Sequence, residues 1–186
     1  MSVIYVAPHE EVETEIVGAI VKHVEDALGC DVTTLAPAPT PTFAFDPTRR
    51  QYSSSAILAW WGERRPAPRG RLLAVTGVDL FIPMLTFLFG HAQLDGALSV
   101  ISLARLRPEA YGPFHDAALL LARARKEALH ELGHTLGLTH CPRQTCVMSL
   151  ATTIHQVDQK STEYCPECGA DARWATVATG DEEERS

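Results

Sequence analysis

The stretch His130-Glu-Leu-Gly-His-Thr-Leu-Gly-Leu-Thr-His140-Cys141 decides how the rest of the chain is read. It begins inside a proline-free run from about Phe114 or Asp116 to Leu136, long enough for a five-turn helix. A separation of four residues puts the imidazoles of His130 and His134 on one helical face, ~6 Å apart, where both can meet one metal ion. Leu121, Ala124, Ala128, Leu132 and Leu136 fall on the opposite stripe. That stripe is expected to bury the helix and leave the histidines facing a cleft. Glu131 is not needed as a ligand, and its position suits a general base for metal-activated water. Glu127, a turn earlier, is expected to lie away from the open metal position. Gly137 can adopt the left-handed conformation that turns the chain back and brings His140 in as a third ligand. Three histidines leave one tetrahedral position to water, the arrangement of a catalytic zinc rather than a structural one.

Downstream, Cys141 and Cys146 are followed by Cys165 and Cys168 in Cys-Pro-Glu-Cys-Gly, read as a compact turn in which Gly169 lets the backbone wrap a metal. Four thiolates in two pairs match a closed tetrahedral zinc site, so two zinc ions per chain are expected. An iron–sulfur cluster, two disulfides or unpaired structural thiols are the competing readings. A zinc ribbon for nucleic acid is disfavoured because residues 141 to 168 carry three acidic side chains against two basic ones. Cys30 has no sequence partner and reads as a buried strand thiol.

These motifs carry a resemblance. His130 to Cys141 resembles the extended zinc signature of the metzincins. The continuation Cys141-Pro-Arg-Gln-Thr-Cys146-Val-Met148, with Cys165-Pro-Glu-Cys168, resembles one branch of them, the archaemetzincins. The resemblance implies a zincin-like α/β fold, with a twisted mixed sheet, a long active-site helix and a small C-terminal lobe below a horizontal cleft. It also implies that Met148 forms a methionine turn beneath the three histidines, and that the protein is a zinc metalloprotease whose natural substrate is open. By spacing alone Met148 would be core filler.

Upstream of the motif, strand and helix patterns alternate, as an α/β layer arrangement requires. Val3 to Ala7 is a strand. Ile16, Ile20, Val24, Ala27 and Leu28 give a helical stripe closed by Gly29, and a second strand is expected near Cys30. Residues 36 to 42 are too rich in proline for a regular element. Ser53, Ser54 or Ser55 can cap a helix running to about Arg65. Arg71 to Gly77 reads as a central strand, and Leu85 to Phe89 and Ala97 to Leu103 as two more. The resemblance also implies that substrate binds as an extra strand against a sheet edge, which the stretch from Leu85 to Val100 is expected to supply. After the motif, the expected helix is a short one near Thr152 to Gln159.

The chain has 186 residues, 46% of them hydrophobic, which suits one domain with a single core. The expected organisation is a catalytic domain over residues 1–180, its upper lobe about 1–137 and its zinc-bound lower lobe about 138–178, followed by a flexible acidic tail at 179–186. A net charge of −7 argues against nucleic acid or an anionic membrane as partner. The start lacks the pattern of a secretory signal, so a cytoplasmic protein is expected. The sequence predicts a zinc-dependent metallopeptidase acting on a peptide or protein substrate through Glu131. A non-catalytic zinc-containing peptide-binding protein and a zinc amidase acting on a non-peptide bond are the alternatives.

Overall fold

The computed structural model describes residues 3–178 apart from Arg69, so the acidic tail expected at 179–186 lies outside the described residues. Five strands form the main sheet: β1 (Ile4–Pro8), β2 (Val32–Thr34), β5 (Arg71–Thr76), β7 (Gly90–Ala92) and β8 (Leu98–Ser102). Their order is β2-β1-β5-β8-β7, parallel except for β7, which runs antiparallel to β8 and forms one edge. A small second sheet joins β3 (Phe45–Asp46), β4 (Gln51–Ser53) and β6 (Leu80–Phe81).

The central strand β5 explains why its sequence lacks alternation. Leu73 and Val75 pack into one core with α1 (Thr14–Leu28) and α3 (Ala117–Thr135). Leu72 and Ala74 pack into a second core with α2 (Ser54–Gly62). All six residues of β5 are buried because helices cover both faces. Ser53 caps α2 by accepting from the Ala56 amide at 3.3 Å, and the helix stops at Gly62, short of the expected Arg65.

Three expectations are corrected. Leu85 to Phe89 is not a strand. Two of its backbone carbonyls are taken by side chains, Arg49 bonding Leu85 O and Gln51 bonding Thr86 O, so the segment forms an irregular strap. The edge strand lies just beyond it, at Gly90–Ala92. The Cys-Pro-Glu-Cys-Gly segment is not an isolated turn either. It opens a thirteen-residue helix, α5 (Pro166–Ala178), with Pro166 at the first helical position, where its missing N–H is harmless. Cys30 precedes β2 and is half-buried against the core, rather than buried in a strand.

The segment after α3 does not build a core of its own. Val147, Met148, Val157, Cys165 and Ala172 join the same buried cluster as α1, α3 and the sheet. The short helix α4 (Ile154–Gln159) begins with a capping box formed by Thr153 and Gln156.

Candidate metal centre and cleft

α3 is capped by Asp116, whose carboxylate accepts from the Leu119 amide at 2.9 Å. The helix ends in a Schellman turn: Gly137 N–H reaches His134 O and Leu138 N–H reaches Gly133 O, each at 3.0 Å, with Gly137 at φ +87°. This turn reverses the chain and returns His140 to the two helical histidines. The Asp95-Gly96 turn between β7 and β8 braces the same end, since the Asp95 amide donates to His134 O. The helix is not buried by a single stripe. Ala124, Ala128, Leu132 and Leu136 are buried as expected and Leu121 only partly, but Arg123, Lys126 and Glu127 are buried as well, because the C-terminal segment covers that side.

One nitrogen from each of His130, His134 and His140 lies within 4.8 Å of the other two. The Nδ1 of His130 faces Val147 O at 2.8 Å, and that of His134 faces Leu138 O at 2.8 Å. A carbonyl can only accept, so each Nδ1 carries the proton and each Nε2 presents a lone pair. These two Nε2 atoms stand 3.2 Å apart with no proton between them. Tetrahedral ligands at zinc–nitrogen distances of ~2.0 Å would be spaced ~3.3 Å apart. Burial first, and the nearby Lys160 ammonium as a further cause at all three, depresses the imidazole pKa values and favours the neutral rings. The donor set therefore fits a zinc ion.

Glu131 is buried against β7, and its carboxylate packs on the Cα of Gly90. Burial first, and the neighbouring Glu127 carboxylate second, push its carboxyl well above the usual carboxylate range. Beneath the histidines, the Met148 thioether lies against the backbone of α3 at Gly133, where a Cβ would occupy its space. Tyr164 donates to Leu129 O at 2.8 Å and Tyr111 to Arg105 O at 2.8 Å, so both hydroxyls are engaged in holding backbone.

The four other cysteine sulfurs also lie within 4.8 Å of one another. Cys141 and Cys165 are 3.9 Å apart, close to the ~3.8 Å edge of a tetrahedron with zinc–sulfur distances of 2.3 Å. The Cys165 amide donates to Cys146 Sγ at 3.3 Å, and backbone N–H groups, working against burial, draw the Cys146 thiol down. A thiolate accepting backbone N–H bonds suits a metal better than a disulfide. The Cys141 amide donates to Met148 O at 2.9 Å, which ties this cluster to the floor of the histidine site.

A cleft of about 370 Å³ opens over the histidines. The strap and β7, from Leu85 to Ala92, form one wall; α3 forms the floor; Leu150, Ala151, Thr152 and Lys160 form the other wall. Glu127 lines this cleft instead of pointing away, and Lys160 faces it. Neither role was legible in spacing, because a lysine after a short polar helix reads as a solvated surface residue. His155 is exposed and lies beside Gln159, outside the cleft.

Residues 70–173 match the sequence profile of peptidase family M54. The archaemetzincin of Methanocaldococcus jannaschii is 40% identical over 166 residues, 89% of each chain. Among solved structures, the archaemetzincin of Methanopyrus kandleri superposes with a TM-score of 0.81 at 35% identity, covering 95% of this chain and 96% of that one. A zinc-dependent peptidase from Methanocorpusculum labreanum gives a TM-score of 0.83 at 25% identity, covering 91% and 99%.

Proposed function

The chain belongs to peptidase family M54, the archaemetzincins, with their zincin-like α/β fold, and we propose that its zinc-dependent peptide hydrolysis is carried out by Glu131 at a metal held by His130, His134 and His140. The observation that carries this reading is the convergence of three imidazole nitrogens whose lone pairs point at one another beside a buried carboxylate. When bound there, zinc supplies Lewis acidity to the attacking water and the scissile carbonyl. Glu131 takes the proton of the attacking water on a carboxylate oxygen and returns it to the leaving nitrogen. The outer edge of β7 offers backbone groups to an extended peptide. Gly137 and Met148 support the site by fixing the turn and the floor.

The reading includes a second, structural zinc held by Cys141, Cys146, Cys165 and Cys168, supported by the sulfur spacing and the N–H bond to Cys146. It treats the described residues as one catalytic domain whose C-terminal lobe is tied down by that site. It also places the protein in the cytoplasm, where thiolates stay reduced, with a peptide rather than a nucleic acid or membrane as partner. Among the described residues no helix is long and apolar enough to cross a membrane.

The test is Glu131→Gln. The variant should keep two equivalents of zinc and its fold, since no ligand changes. Its rate on a peptide cleaved by the wild type should fall by roughly 10²–10⁴-fold, the loss expected for a positioned general base. A variant that retains half the wild-type rate assigns the base wrongly.

A further inference from the structure

Glu127 and Lys160 line the same cleft as His130. Both side chains are nearly closed off from solvent, at 4% and 1% exposure, and both line the cavity. Burying opposite charges is costly unless their hydrogen-bonding capacity is met. Lys160 Nζ lies 3.3 Å from Glu127 Oε1 and 3.5 Å from His130 Nδ1; because that Nδ1 donates to Val147 O and cannot accept, only the Glu127 contact is a hydrogen bond. Nearby, between α3 and α4, Arg123 and Asp158 make two contacts of 2.7 Å, the length of a well-formed charge-assisted pair. Lys160 is not needed to hold the wall, because that work falls to Arg123 and to Lys126, which donates to Val157 O and Asp158 O. Those bonds fix the backbone just before Lys160 and so set where its ammonium stands.

An ammonium and a carboxylate side by side in the lining of a cavity present a donor next to an acceptor. A primary carboxamide is their complement: its oxygen accepts from Lys160 and its NH2 donates to Glu127. A substrate carboxylate would meet Glu127 with like charge, and a substrate cation would meet Lys160. An aliphatic side chain would make neither bond. We propose that Glu127 and Lys160 form a specificity pocket for a glutamine or asparagine side chain beside the scissile bond. The proposal rests on the assignment of the hydrolytic centre above.

The test uses three peptide hydroxamates identical except for a glutamine, glutamate or leucine side chain next to the zinc-binding group. Their affinity for the zinc-loaded wild-type protein is measured by calorimetry, which needs no turnover. The glutamine probe should bind at least about tenfold tighter than the other two, the discrimination expected of hydrogen bonds to charged groups. The double variant Glu127→Leu/Lys160→Met should erase that preference. Replacing both partners avoids stranding one buried charge. Equal affinities in the wild type overturn the pocket and leave the hydrolytic centre standing, and this comparison is decisive without any variant. A preference that survives in the folded double variant also overturns it. If none of the probes binds, the histidine site as assigned falls, and the pocket with it.

Discussion

At the scale of single residues, the position of Glu131 is set as much by what is missing at Gly90 as by the helix that carries it. A Cβ at residue 90 would stand 2.5 Å from Glu131 Cγ and Oε1, closer than side-chain atoms can approach. The strand cannot easily back away, because Gly90 is paired with Ile101 in β8. Gly90→Ala should therefore push the carboxylate aside while leaving the histidines in place. Displacing a reacting group by about an ångström can reduce turnover ~10²-fold. The expected result is a fall in kcat of that order with KM and zinc content near wild type. The effect should also vanish when Gly90→Ala is combined with Glu131→Gln, since residues acting as a unit are not additive. Equal losses in both backgrounds would mark Gly90 as merely structural. Glu131 was legible from its place beside His130, whereas Gly90 was not. Its role arises from a contact between the edge strand and α3, and one glycine between two apolar runs looks like a simple interruption.

At the scale of elements, α5 depends on the cysteine cluster more than on its own amphipathicity. Cys165 immediately precedes it and Cys168 lies in its first turn, with Gly169 next, a poor helix former. Cys168→Ser should therefore lower zinc content by about one equivalent and bring a clear drop in melting temperature, because a structural zinc site contributes several kcal/mol of folding free energy. Metal analysis and a thermal melt check this, and a variant unchanged in both would refute the structural site. The sequence led to a turn here because a proline follows Cys165 and a glycine follows Cys168, and their helical use depends on a scaffold that periodicity does not report. The strap at Leu85–Phe89 failed as a strand for a related reason. Its composition is that of a strand, but Arg49 and Gln51 occupy two of the carbonyls a ladder would need. By contrast α1, α3 and β5 were legible because local periodicity and tertiary burial point the same way.

At the scale of the whole molecule, the groups that were legible fall in two short motifs, His130 to Met148 and Cys165 to Cys168, and the ones that were not are brought in by the fold. Lys160, Glu127 and Gly90 acquire their surroundings only when the C-terminal segment and the sheet edge close on α3. The same closure joins α1 to the C-terminal segment at His23, whose Nε2 lies 2.8 Å from Thr162 O. The carbonyl accepts, so Nε2 carries a proton. Burial lowers the imidazole pKa, outweighing the opposite influence of that hydrogen bond. The folded state thus binds this proton less readily than the unfolded chain, where the ordinary value is 6.5. Its contribution to stability is fully present above pH 6.5 and is lost as pH falls from there toward the lower folded value. His23→Gln keeps a donor for Thr162 O but cannot be protonated in this range. Urea unfolding of zinc-loaded wild type and variant should therefore give midpoints that diverge in a defined sense between pH 7.5 and 5. The wild type should fall more steeply on acidification, and the variant should gain relative to it below pH 6.5. Both proteins begin to lose metal as ligands take up protons, so the difference between the curves is diagnostic rather than either curve alone. Parallel curves would show that His23 titrates alike in the folded and unfolded chain, and that the contact between α1 and the C-terminal segment is not sensitive to its charge.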